Sequence, residues 1–86
     1  MTPAYHARTD RVTIPILGFS SGGGGALTAE RALARLPGVV RAYVNPSTEM
    51  AYVEFDPTLS TARTLVVAIE GVGFEAGEVR QVSPGS

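Results

Sequence analysis

The chain contains no cysteine, no tryptophan and no lysine, and its one histidine is His6. Without cysteine there is neither a disulfide nor a thiolate metal site, so 86 residues must be held together by an apolar core alone. No apolar run approaches the ~20 residues of a membrane-spanning helix, so direct membrane insertion is not expected. The seven cations, all arginine, face eight acids, and a net charge of −1 leaves no overall basic footprint for nucleic acid, which is not expected as a partner. Residues Met1 to Arg8 lack the apolar core of a secretory leader, and a cytoplasmic location is the expectation. His6 has no partner at metal spacing. The acids Glu49, Glu54, Glu70, Glu75 and Glu78 are scattered rather than paired, and Asp56-Pro57 reads as turn chemistry rather than a base. No nucleophile, base and orienting acid can be assembled, so an enzyme is not expected and no catalytic residue is assigned.

The order of elements is legible in the apolar spacing. Val12, Ile14 and Ile16 alternate as a half-buried first strand, in which Pro15 demands an edge or a non-bonding position. Ala29, Ala32, Leu33 and Leu36 fall at i, i+3, i+4 and i+7 and predict a helix from about residue 26 to 36, stopped by Pro37-Gly38. The runs 39–44 and 50–55 are β-rich and joined through Asn45-Pro46-Ser47-Thr48-Glu49, the composition of a hairpin loop. Ser60 or Thr61 can cap a second helix carrying Leu65, Val66, Ala68 and Ile69 to Gly71, and residues 74–79 predict a fourth strand. The order βαββαβ, with each helix apolar on one stripe, predicts an α+β ferredoxin-like sandwich: a four-stranded antiparallel sheet with two helices on one face. The folded unit is expected over 11–80, flanked by flexible tails at 1–10 and 81–86. A faint internal repeat, 33–42 against 67–76, in which each copy is a helix end, a glycine turn and a strand start, suits that fold.

Gly18-Phe19-Ser20-Ser21-Gly22-Gly23-Gly24-Gly25 lies between the first strand and the first helix. With Glu30-x-Ala32-Leu33, Leu36-Pro37-Gly38-Val39, Val44-Asn45, Ala51-x-Val53-x-Phe55-Asp56-Pro57 and Ala68-Ile69-Glu70-x-Val72-Gly73-Phe74-x-Ala76, it resembles the heavy-metal-associated domain family of copper chaperones and of the N-terminal domains of metal-pumping P-type ATPases. That family carries G-M-x-C-x-x-C at this junction. Aligned forward from the strand, Gly18 matches the motif glycine, Phe19 the methionine, and Ser21 and Gly24 the cysteines. Aligned backward from Glu30, the cysteine positions fall on Gly22 and Gly25, so the loop holds one extra residue.

The resemblance implies a soluble, monomeric binding or docking domain of copper or heavy-metal trafficking, with a metal-transporting ATPase or a related domain as transient partner. It also implies a degenerate metal loop at Phe19, Ser20, Ser21, Gly22, Gly24 and Gly25, faced by Phe74. The family's ligand is Cu(I) or another soft ion. Serine hydroxyls and glycines do not replace thiolates for such ions, so no metal ligand is assigned and no cofactor is expected. The glycine run before a helix N-terminus would also suit an anion, but the Lys-Ser/Thr pair of a phosphate loop is missing. An ACT-like small-molecule regulatory module, which shares βαββαβ order, is the alternative function. An acylphosphatase-like use of the fold ranks below it, because the loop carries no arginine.

Overall fold

The computed structural model describes residues 9–18 and 25–82. The elements are β1 (Asp10–Leu17), α1 (Gly25–Ala34), β2 (Val39–Asn45), β3 (Met50–Phe55), α2 (Ala62–Gly71), β4 (Glu75–Ala76) and β5 (Arg80–Gln81). The sheet is antiparallel in the order β2-β3-β1-β4, with β5 also on β1. Both helices cover one face, where Val12, Ile14 and Ile16 of β1 and Ala51, Val53 and Phe55 of β3 meet Ala29 and Leu33 of α1 and Leu65 and Ile69 of α2. The expected sandwich is the observed one.

Pro15 shapes the sheet in a way its neighbours alone do not indicate. β1 is an inner strand, so the edge alternative for Pro15 is not realised. The amide of Ile16 points to β3, donating to the Glu49 carbonyl at 2.8 Å, which turns the backbone of Pro15 toward the fourth position of the sheet. There the Pro15 carbonyl accepts from the Gly77 amide at 2.7 Å, and proline has no N–H to return the bond. The expected fourth strand over 74–79 is consequently shortened to β4, and pairing with β1 resumes beyond it as β5. Ile16 pairs with Ala76 and Thr13 with Arg80, a slip of one residue across the proline. The ladder takes in Asp10 and Gln81, just outside the span 11–80 expected from the sequence.

Helix α1 ends at Ala34, earlier than the apolar spacing predicts, and Leu36 instead closes a tighter turn by donating to the Leu33 carbonyl at 3.1 Å. Thr61 caps α2, its hydroxyl accepting from the Thr64 amide at 3.2 Å. Ser60 is buried and donates to the Pro37 carbonyl at 2.6 Å, so the two candidate caps divide the work. That bond ties the α1–β2 corner to the β3–α2 corner, as does the Asp56 amide donating to the Gly38 carbonyl at 2.8 Å. Gly38 has a φ of +84° and sits so close that a Cβ there would lie 2.7 Å from the Leu59 Cβ. In the β2–β3 hairpin the Asn45 side chain accepts from the Ser47 amide at 2.9 Å. Glu49 takes the left-handed conformation, with a φ of 58°.

Leu33→Ala and Ile69→Ala are expected to lower the unfolding free energy by about 2–5 kcal/mol each. Gly38→Ala should cost about 1–3 kcal/mol through left-handed strain, with the Leu59 contact adding to it. Urea melts of the three variants check this. An unaltered midpoint for Gly38→Ala would show that the two corners are not packed together.

Candidate functional site

The end of the sheet where β1 runs toward α1 is assembled from three pieces. β1 stops at Gly18, whose φ of +103° is open to glycine and strained for other residues. Gly25, half-buried, opens α1. The third piece comes from the far end of α2, where the Gly73 amide donates to the Glu70 carbonyl at 3.0 Å and the Phe74 amide to the Ile69 carbonyl at 3.3 Å. With Gly73 at a φ of +98°, this is a Schellman helix end. Such an end brings the residue after the glycine back over the last turn, so Phe74 packs, half-buried, against the core that includes Ile69. Its ring then lies beside Gly18: a Cβ at Gly18 would be 3.8 Å from Phe74 Cδ1.

Of the loop residues singled out from the sequence, Phe19, Ser20, Ser21, Gly22 and Gly24 lie outside the described residues, while Gly25 and Phe74 are described. The structure places Phe74 against the start of the loop and Gly25 at its end. The packing reading of Phe74 and its place at the loop are therefore not rivals, since one backbone motif produces both.

The carboxylates of Glu30, Glu54 and Asp56 are engaged in the scaffold. Glu30 on α1 reaches the outer side of β2, where its Oε2 accepts from the Val44 amide at 3.0 Å; this contact was not anticipated from the sequence, where Glu30 served only as a landmark. Thr9 donates its hydroxyl to Glu54 Oε2 at 2.7 Å. Asp56 Oδ1 accepts from the hydroxyl of Thr58 at 2.7 Å and from its amide at 2.8 Å, and these bonds, the hydroxyl foremost, hold the carboxyl below its ordinary value. Asp56-Pro57 is turn chemistry, as its composition suggested. Among the described residues no three His, Cys, Asp or Glu side chains gather where they could hold a metal ion. His6 lies outside them. No helix among the described residues is long and apolar enough to cross a membrane.

No family model matches the chain. Over 80 residues it is 32% identical to a copper-transporting ATPase, HMA4, of Oryza sativa subsp. japonica. That match takes in 93% of this chain but spans only 8% of the ATPase. A copper binding domain from HMA7, a P-type ATPase, has a TM-score of 0.76 at 27% identity, covering 86% of this chain and 95% of that one. The chain resembles the heavy-metal-associated domains in both sequence and fold. The CopZ metallochaperone, at 25% identity and a TM-score of 0.73, covers 78% of this chain and is itself 98% covered. The likeness thus extends over almost the entire length of small heavy-metal-associated domains, while this chain has no cysteine anywhere.

Two outcomes are expected of the residues around this end. Gly73→Ala forces a side chain into the left-handed region and should cost about 1–3 kcal/mol, with chemical-shift changes reaching Gly18 through Phe74. Lost stability without any change at Gly18 would separate the helix end from the loop. Thr58→Val should raise the Asp56 pKa toward 3.8 in a carboxyl-carbon NMR titration. Because the folded pKa is depressed, the stability this turn contributes is complete above the unfolded value and is lost as pH falls through the folded one. An unchanged Asp56 titration in the variant would show that the hydroxyl bond does not persist in solution.

Proposed function

We propose that the chain is a docking domain of copper or heavy-metal trafficking that engages a partner without carrying the ion on thiolates. The observation that supports this is a combination: the heavy-metal-associated fold is retained through the Gly18–Phe74 contact, while the composition contains no cysteine. In a domain with two thiolates the ion sits at the loop and passes by ligand exchange through a transient complex. In this chain the loop positions carry serine and glycine, whose neutral oxygens and backbone groups bind soft ions weakly. The surface around the loop remains for contact. Leu17, 47% exposed, and Leu27, 50% exposed, flank it from β1 and α1 and offer apolar area to a partner.

The partner in this reading is a soluble metal-binding domain of a metal-transporting ATPase or a related domain, met transiently in the cytoplasm by a monomer. Copper enters as the cargo of the partner and not as a cofactor of this chain. The role is binding, with no reaction assigned.

NMR titration of labelled protein with such a partner domain should produce shifts concentrated at Leu17, Gly18, Gly25, Leu27 and Phe74. Shifts absent at saturating partner would refute docking. In competition with a Cu(I) chelator the protein should bind no better than a generic peptide, and submicromolar one-to-one binding would overturn the loss of metal function. Of two double replacements, Gly22→Cys with Gly25→Cys should restore Cu(I) binding better than Ser21→Cys with Gly24→Cys. The helix register sets how the N-terminal amides of α1 meet a thiolate, whereas the preceding loop can absorb the extra residue.

A further inference from the structure

The face of the sheet turned away from the helices carries an ordered set of side chains that the docking reading does not use. The pairing registers arrange them in rows across the strands. One row runs Arg41, Glu54, Arg11, and the next runs Tyr43, Tyr52, Thr13, Arg80. Tyr43 and Tyr52 are stacked with centroids 6.1 Å apart and planes 17° from parallel, yet they remain 51% and 40% exposed. Both line an open groove of about 370 Å³ together with Arg11 and Arg41. Among the described residues, the guanidinium groups of Arg11, Arg41 and Arg80 take part in no ion pair or hydrogen bond. Glu54 is the one carboxylate in these two rows.

A net charge of −1 describes the whole chain and hides this distribution. Three of the seven arginines stand with one acid, Glu54, in these two rows; Glu75, paired with Leu17, lies on the same face at its loop end. We propose that this face binds single-stranded nucleic acid, with bases stacking on the Tyr43–Tyr52 pair and phosphates reaching Arg41 and Arg11 in the neighbouring row and Arg80 at the end of the tyrosines' own row. Exposed aromatic rings on an open sheet face are a surface on which bases stack whatever their sequence. Flanking guanidinium groups supply charge for a backbone that tracks across it. An acidic peptide would satisfy the same arginines but has no use for two exposed ring faces, so the tyrosines favour the nucleic acid. Glu54, between Arg41 and Arg11, opposes the phosphates and keeps the site weak. This inference is independent of the docking reading, which uses the loop end of the sheet.

The test is fluorescence anisotropy of the full chain with labelled oligouridylate and oligothymidylate of about eight nucleotides. Expected is saturable binding with Kd between about 1 and 100 µM at moderate salt. Three arginine contacts give a log–log salt slope of about −2. Tyr52→Ala should weaken binding by roughly fivefold or more, Tyr52→Phe should leave it nearly intact, and Tyr43 should behave alike. Glu54→Gln should tighten it. Because both tyrosines project to solvent, circular dichroism should show the variants folded. Three outcomes would each overturn the proposal: no saturable binding, binding indifferent to Tyr52→Ala in a folded variant, or equal binding of a polyglutamate peptide, which would assign the face to acidic protein.

Discussion

Burial of alternate residues along β1 is the constraint on which the remaining structure depends. Val12, Ile14 and Ile16 are 4%, 0% and 0% exposed, and β1 is held on both sides, by β3 and by the β4–β5 segment. A strand in that place cannot slip by one residue without sending all three side chains to the open face. The helices must then lie on the side those residues choose, and everything polar or aromatic at the odd positions and their partners is left on the other. The division between a helix-covered core face and an open face bearing Tyr43 and Tyr52 is thus one decision, made in β1.

Pro15 sits in the middle of this strand, and its cost is confined. The missing amide faces only the fourth strand position, so the β1–β3 ladder continues unbroken through Pro15 and Met50 while the other side divides at Gly77. A Cβ at Gly77 would come within 3.0 Å of the Pro15 Cβ, so the residue that bridges the break has to be small. At the opposite edge of the sheet, Glu30 covers the Val44 amide and removes part of an exposed edge to which another strand could add. The helices thereby do more than cover the core: α1 blunts the edge of the sheet and α2 delivers Phe74 to the loop.

The loop end and the open face show different relations between scaffold and function. At the loop end the geometry is set by backbone, with left-handed glycines at 18 and 73 and the Phe74 ring beside Gly18, in a chain that contains no thiolate. Geometry of that kind is maintained by packing and does not need the ligand. On the open face, side-chain identity matters more than backbone, because exposed tyrosines, and arginines unpaired among the described residues, add nothing to the core. Their arrangement is a property of register, which sets Tyr43 against Tyr52 and leaves arginine in both rows.

Much of the architecture was legible in the sequence because its signals are local. Period-two alternation at 12, 14 and 16, helical spacing at 29, 33, 65 and 69, and the glycine turns after each helix depend only on residues near one another in the chain. The sequence by itself also excluded thiolate chemistry, since composition alone decides that. Tertiary structure decided what depends on pairing. It made β1 an inner strand, which turned the gap left by Pro15 into a split of the fourth strand. It brought the Glu30 carboxylate to Val44, and it set Arg41, Glu54 and Arg11 in one row though they are far apart in the chain. Such neighbours share no periodicity for a sequence to reveal; they are created by hydrogen-bond register between strands, which is set only when the core closes.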